Sequence, residues 1–173
     1  MPRWLWPPDL KVEITIAVLC EAATVRDGVL QILGAGVNRV HMPTYPAPLP
    51  TTLALRFELT LDEGRTQRSL LVQIVRASDG ADIGSVAGTI GPIAQDALTD
   101  PDLPVQAVTA VELSKIEIDA EGRYDAVISV DDQELRRVPF AIRSTALPGS
   151  PPSARIVALP PQKTPAVSDK SAN

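Results

Sequence analysis

Residues 51–61 read TTLALRFELTL, with leucine or phenylalanine at every second position from Leu53 to Leu61. In a helix these side chains would spread around the circumference, whereas in a strand they all point to one face. Polar side chains, including Arg56 and Glu58, occupy positions between them. We therefore predict a β-strand over residues 51–61 with one buried face.

The same period of two predicts strands on both sides of this segment. The predicted strands are residues 11–21, 29–33, 37–42, 68–77, 83–90, 105–118 (with a break near Ser114), 124–130 and 134–143. Asp79-Gly80 and Asp131-Asp132 mark hairpin turns, and residues 92–98 fit at most one short helical turn. The pattern predicts an all-β, immunoglobulin-like or Greek-key β-sandwich of about eight or nine strands.

Two details refine the predicted sandwich. Gly122-Arg123-Tyr124 fits the tyrosine corner of immunoglobulin-like domains, although a turn followed by a half-buried aromatic explains it equally well. Pro139 lies inside the last predicted strand and has no N–H to donate, so that strand lies at an edge or is bulged. The apolar phase slips after Leu135, which favours a bulge.

The chain divides into three predicted segments. Residues 1–10 form an arm rich in tryptophan and proline, residues 11–143 form the sandwich, and residues 144–173 form a tail rich in proline and serine. The tail cannot bury enough apolar surface to offset the entropy of ordering, so we expect it to be disordered. Its apolar residues 155–159 fit either a terminal strand or a docking motif.

Charge and cysteine content exclude several classes of protein. The 173 residues carry a net charge of −5 and scattered basic residues, which disfavours nucleic acid and anionic membranes as partners. A single cysteine, Cys20, excludes an intrachain disulfide. Residues 14–20 are apolar but are flanked by Glu13 and Glu21, which disfavours a signal peptide, and no window is long enough to span a membrane. We expect a cytoplasmic protein.

No motif predicts a cofactor. Gly34-Ala35-Gly36 follows a predicted strand, but a dinucleotide-binding loop needs a third glycine, where Arg39 stands, and a helix after it. Asp96, Asp100 and Asp102 in the loop at residues 96–102 do not have the spacing of an EF-hand. A solvated acidic loop is the preferred interpretation, and we predict no metal site.

Cys20 and His41, the only histidine, are the residues on which a nucleophilic enzyme would depend. Cys20 falls in phase with the apolar residues of the first predicted strand, which favours a small buried core residue. A buried cysteine and a surface histidine are the preferred interpretation, so we predict no catalytic residue.

Three regions are candidate contacts for a partner. Trp4 and Trp6 alternate within the arm, where they either cover an open end of the sandwich or anchor a partner. Tyr45 lies in the proline-rich loop at residues 43–50, and Arg136-Arg137 lie on the last predicted strand. An exposed edge there would also allow a partner strand to pair with it.

Several stretches resemble a known family. These are CEAA at residues 20–23, DGVLQILGAG at 27–36, GRY at 122–124, ISVD at 128–131 and VPF at 138–140. Over residues 12–143 they are similar to a family of small, uncharacterised bacterial proteins. The resemblance implies a β-sandwich and no assigned activity. The last hairpin of that family often has Asp-Gly where this chain has Asp131-Asp132.

The sequence favours a non-enzymatic binding or structural module, such as an accessory subunit that binds a protein partner or itself. One alternative is an enzyme of unrecognised type that uses Cys20 or His41. Another is a structural component of a virion or an injection machine.

Overall fold

The computed structural model describes residues 12–93 and 104–145. The elements in this part are β1 Val12–Cys20, β2 Ala22–Arg26, β3 Val29–Leu33, β4 Arg39–Met42, β5 Ala47–Pro48, β6 Thr52–Leu59, α1 Leu61–Gly64, β7 Arg68–Arg76, β8 Asp82–Ile90, β9 Val105–Glu112, β10 Glu117–Ile118, β11 Gly122–Val130 and β12 Gln133–Ser144. The arm with Trp4 and Trp6, the loop at residues 96–102 and the predicted disordered tail beyond Thr145 lie outside the described residues.

Two sheets form the body of the domain. One has the strand order β1-β6-β9 and the other β4-β12-β11-β7-β8, in which only the β4–β12 pair is parallel. Their inner faces enclose one apolar core, in which Leu53 and Phe57 of the first sheet and Val72, Ile128 and Ile142 of the second are all fully buried. The predicted all-β, immunoglobulin-like sandwich is confirmed.

The strand predicted over residues 51–61 ends earlier than its leucines suggest. β6 stops at Leu59, and Leu61 begins the short helix α1. Thr60 caps this helix, because its hydroxyl accepts a hydrogen bond from the Glu63 amide at 3.3 Å. A threonine followed three residues later by glutamate is a helix-start signal, so the prediction that Leu61 continues the strand is wrong.

Irregularities in three predicted strands have local causes. The predicted strand at 105–118 breaks as expected, because β9 ends at Glu112 and β10 starts at Glu117. In β12 the pairing register shifts at Leu135, which confirms the predicted bulge. In β1 the register shifts at Thr15, so the residues after it face the side opposite to the one expected. β4 pairs only with residues 141–144 of β12, so no described strand pairs with this edge of β12 around Pro139.

The tyrosine corner is present. The Tyr124 hydroxyl donates to the Ala120 carbonyl at 2.7 Å, and the ring stacks on Phe140 with centroids 5.8 Å apart. Beside it, Arg76 donates to both carboxylate oxygens of Asp119 at 2.7 Å. This charge-assisted contact, made by one guanidinium nitrogen, lowers the pKa of Asp119 and ties β7 to the corner.

Arg68 joins three elements at the opposite end of the sandwich. Its guanidinium contacts the buried carboxylate of Glu63 in α1 and donates to Asp131 at 2.7 Å in the β11–β12 turn. Asp131 also accepts hydrogen bonds from the Ser69 amide and hydroxyl at 2.9 and 3.1 Å. These contacts, with that of Arg68 the largest, lower the pKa of Asp131.

The β11–β12 turn gives a stability prediction. Asp131 and Asp132 both have positive φ, 48° and 64°, as a type I′ turn requires. Because a Cβ is strained in this region, we expect Asp132→Gly to raise the free energy of unfolding by about 0.5–1 kcal/mol. Asp131→Gly is the control, and it should destabilise because it removes the contacts with Arg68 and Ser69. Urea unfolding of both variants is the measurement, and a loss of stability in Asp132→Gly would contradict the prediction.

Candidate protein-interaction surface

β2 and β3 form a hairpin that the sequence prediction missed. Residues 22–26 were not predicted as a strand. The chain reverses at Asp27-Gly28, which have φ values of 52° and 73° and so form a second type I′ turn. Gly34, with a φ of 63°, closes the base, where a Cβ would lie 2.6 Å from the Glu21 side chain. The glycines that resembled a nucleotide-binding loop therefore close a hairpin.

The hairpin folds back over the outer face of the β1-β6-β9 sheet. Both of its strands contact β6 and β9. Ala23, Leu30 and Ile32 share one face of the hairpin and are half-buried. Beneath it, Cys20 is paired with Thr52 on the outer side of the sheet, and both side chains are buried. The hairpin thus adds a third layer at this end of the sandwich.

The other face of the hairpin is open to solvent. Val29 and Leu33 lie on it and are 59% and 66% exposed. Thr24 and Gln31 lie between them, and a shallow depression of about 250 Å³ lies against this part of the hairpin. Single exposed aliphatic residues are common, and the two on this face flank Gln31, so they form a discontinuous apolar patch.

Apolar surface continues beside the hairpin. Val25, near the tip, is 41% exposed. Past the bulge at Thr15, Ile16 and Val18 face outward from the β1-β6-β9 sheet and are half-buried, as is Val108 on β9. The three predicted core residues Ile16, Val18 and Cys20 are therefore on the outer face, because the bulge reverses the phase of the strand.

Cys20 is buried, as predicted, but under the hairpin and not in the central core. Its side chain is 0% exposed and its thiol donates to the Thr52 carbonyl at 3.2 Å. Burial raises the pKa of the thiol, which lowers the fraction of reactive thiolate. His41 is exposed on β4 in the other sheet, where it faces away from the core. The structure does not bring the two side chains to one site.

We expect the Cys20 thiol to report on the opening of the hairpin. Labelling with a disulfide reagent at neutral pH should be about 100-fold slower in the native protein than in denaturant, since reaction requires local opening. The control is Ser85→Cys in a Cys20→Ser background, because Ser85 is exposed on β8. If native Cys20 reacts as fast as the control, the hairpin does not cover it.

The residues predicted as partner contacts make different contacts within the protein. Tyr45 is half-buried and packs against the core. Arg136 donates to the Ile14 carbonyl at 3.4 Å and links the two sheets. Arg137 binds Glu134 at 2.6 Å, and this pair lowers the pKa of the Glu134 carboxyl. A contact role for these residues stays a prediction, and Trp4 and Trp6 are not described.

Within residues 12–93 and 104–145, no three histidine, cysteine, aspartate or glutamate side chains are grouped closely enough to hold a metal ion. In the same ranges, no helix is long and apolar enough to cross a membrane.

The sequence matches one family model, "Family of unknown function (DUF6941)", over residues 15–143. The chain belongs to this family. The match confirms the predicted resemblance to a family without an assigned activity, and the matched residues include the whole hairpin and the strands from Thr15 in β1 to Arg143 in β12. The bacterial origin of the family stays a prediction.

Two solved structures are similar to this DUF6941 chain at low identity. An immunoglobulin-like protein from Pseudomonas aeruginosa is 19% identical, with a TM-score of 0.38 over 79% of this chain and 100% of that one. The alkylpurine DNA glycosylase AlkC from Pseudomonas fluorescens, bound to DNA with an abasic-site analogue, is 12% identical, with a TM-score of 0.43. That match covers 77% of this chain and 30% of the glycosylase. No curated protein matches the sequence. We draw no functional conclusion from these two structures.

Proposed function

We propose that this protein is a non-enzymatic module that binds a protein partner through the open face of the β2–β3 hairpin. The observation that supports this most is the exposure of Val29 and Leu33 on that face. Full burial of an aliphatic side chain contributes about 1.5–3 kcal/mol. Covering these two side chains therefore supplies about 2–4 kcal/mol of binding free energy.

The charges on the hairpin indicate the chemistry of the partner. Thr24 and Gln31 are neutral, and the charges at the tip, Arg26 and Asp27, pair with each other at 3.6 Å. Among the described residues, neither hairpin strand has a second hydrogen-bonded neighbour. The expected partner is a protein that presents a neutral, aliphatic, extended segment, which pairs with an open edge of the hairpin and covers its patch.

Under this proposal the hairpin is not a catalytic site, and it binds neither nucleic acid nor a membrane. Between Ala22 and Leu33 the hairpin has no histidine and no cysteine, and its only carboxylate is that of Asp27 at the tip. It therefore has neither a carboxylate pair nor an accessible thiol. A polyanion or an anionic membrane surface would need a basic surface, which this face lacks. We place the module in the cytoplasm, in line with the position of the apolar residues 14–20 inside β1.

Affinity capture with a matched pair of variants tests the proposal. Full-length wild type, the Val29→Thr/Leu33→Thr variant and a Val75→Thr control are used as baits under mild conditions. Val75 is half-buried on β7 and faces outward from the other sheet, on the opposite side of the sandwich.

We expect the wild type and the Val75→Thr control to recover the same partner, and the double variant to lose at least 90% of it, an effect of about 1.4 kcal/mol or more. Thermal unfolding of all three baits shows whether each is folded. Equal recovery by the folded double variant and the wild type would rule out the hairpin as the contact surface. Recovery of the bait alone by wild type would contradict a protein-binding role.

A further inference from the structure

Three arginines on one side of the sandwich are not neutralised within the described part of the chain. Every other arginine there forms a salt bridge or donates a side-chain hydrogen bond. Arg39, Arg123 and Arg143 do neither with any described residue, and all three are exposed. The contrast is marked because the whole chain carries a net charge of −5.

The fold brings these three arginines together from distant positions in the sequence. Ala141 of β12 pairs with Arg39 on β4 and with Arg123 on β11, so both arginines flank the same alanine. Arg143 lies two residues further along β12 and faces the same outward side, since strand side chains alternate. We call this group, Arg39, Arg123 and Arg143 around Ala141, the arginine face.

A depression of about 390 Å³ lies over this part of the sheet. Small side chains, Ala77, Pro139 and Ala141, contribute to its lining, and Arg39 and Arg123 contribute the cationic groups. The short side chain of Ala141 lies between Arg39 and Arg123 on the sheet and fills little of the depression. A carboxylate placed there can accept a bidentate hydrogen bond from either arginine.

Nearby acidic residues have other partners. Asp125 lines the same depression but lies 3.8 Å from Arg137. Glu121 accepts a hydrogen bond from the Ser144 amide at 3.3 Å. Neither carboxylate forms a salt bridge with Arg39, Arg123 or Arg143 among the described residues, although both border the arginine face.

We propose that the arginine face binds an acidic, extended peptide segment of a second protein. β4 is the last strand of its sheet among the described residues, so a peptide strand can pair with its open edge while alternate carboxylates reach Arg39. Three arginines between acidic residues suit a short acidic peptide better than nucleic acid, which requires a longer basic stripe. The hairpin covers the other sheet, so the two surfaces lie on opposite sides of the sandwich and the protein can join two partners.

Fluorescence anisotropy with the full-length protein tests this proposal. The probes are a fluorescein-labelled peptide with glutamate and threonine in alternation, its lysine–threonine counterpart and a single-stranded dodecathymidylate. Arg39→Gln/Arg123→Gln is compared with Arg26→Gln/Arg65→Gln, which removes the same charge from two exposed arginines, one at the hairpin tip and one directly after α1.

We expect the glutamate peptide to bind wild type at low salt and more weakly as salt is raised. The Arg39→Gln/Arg123→Gln variant should bind it about tenfold more weakly, while the Arg26→Gln/Arg65→Gln and Val29→Thr/Leu33→Thr variants should bind as wild type does. Unchanged binding by the hairpin variant separates this result from the proposed function. No binding of the glutamate peptide, equal losses in both arginine variants, or tighter arginine-dependent binding of the oligonucleotide would each overturn the proposal.

Discussion

Replacing Arg68 with methionine is expected to lower the free energy of unfolding by about 2–3 kcal/mol and the melting temperature by about 10 °C. The Glu63 carboxylate, whose side chain is 5% exposed, would be left in a buried position without its cationic partner. Breaking a buried pair costs about 3–5 kcal/mol, and we expect less because the Arg68 side chain is 28% exposed. Chemical denaturation, with midpoint and slope both measured, gives the difference.

Two further variants test whether the loss of stability comes from the pair of Arg68 and Glu63. Arg65→Met removes an exposed arginine that lies 3.9 Å from Asp62, and it should change stability by no more than about 0.5 kcal/mol. Adding Glu63→Gln to Arg68→Met should recover part of the loss, because no buried charge is then left unpaired. If Arg68→Met is as mild as Arg65→Met, the contact does not stabilise this end of the sandwich.

Tyr124→Ala should be the most destabilising single substitution that we predict, at about 4 kcal/mol. The side chain is 0% exposed, so its removal leaves a cavity and takes away the stacking contact with Phe140. It also removes the hydrogen bond that fixes the Ala120 carbonyl at the corner. Thermal and urea unfolding measure the loss, and some of the variant is expected to be unfolded at 37 °C.

Tyr124→Phe separates packing from hydrogen bonding at the corner. The ring stays and the hydroxyl is lost, so we expect a smaller loss of about 1–1.5 kcal/mol. Ala120 is exposed, and water can therefore satisfy its carbonyl in the variant. A Tyr124→Phe protein as stable as wild type would mean that the tyrosine corner contributes shape but no stability.

The alternation of apolar residues predicted the sandwich because it records which face of each strand is buried. In β6, Leu53, Leu55 and Phe57 are fully buried where the pattern placed them. The tyrosine corner was one of two interpretations that the sequence allowed, since Gly122 and Tyr124 are close in sequence and act locally, and the structure decides for it. Features of this kind can be predicted from neighbouring residues, without knowing which distant strands pair with each other.

The hairpin was missed although its turn carries a signal. Asp27-Gly28 is typical of a type I′ turn, but residues 22–26 read AATVR, which has little apolar alternation. The bulge at Thr15 added a second error, because one extra residue turned Ile16, Val18 and Cys20 to the outer face. When both faces of a strand are apolar, the alternation of apolar and polar residues does not show where a single extra residue has been inserted.

The arginine face could not be predicted from the sequence. Arg123 and Arg143 come together through the pairing of β11 with β12, and Arg39 joins them because β4 pairs in parallel with the end of β12. The sequence interpretation described the basic residues as scattered, which is true along the chain and wrong for these three in the fold. Charge clusters of this kind depend on strand order, which single-sequence patterns do not specify.

Site-specific photo-crosslinking in the native host tests the role of the hairpin most directly. A photoreactive phenylalanine analogue is placed at Val29, at Leu33 or at Ser85, which is exposed on β8 in the other sheet. Our account predicts one discrete crosslinked species of higher mass from positions 29 and 33 and none from position 85. The account would be contradicted if all three positions gave the same species, or if only position 85 gave one.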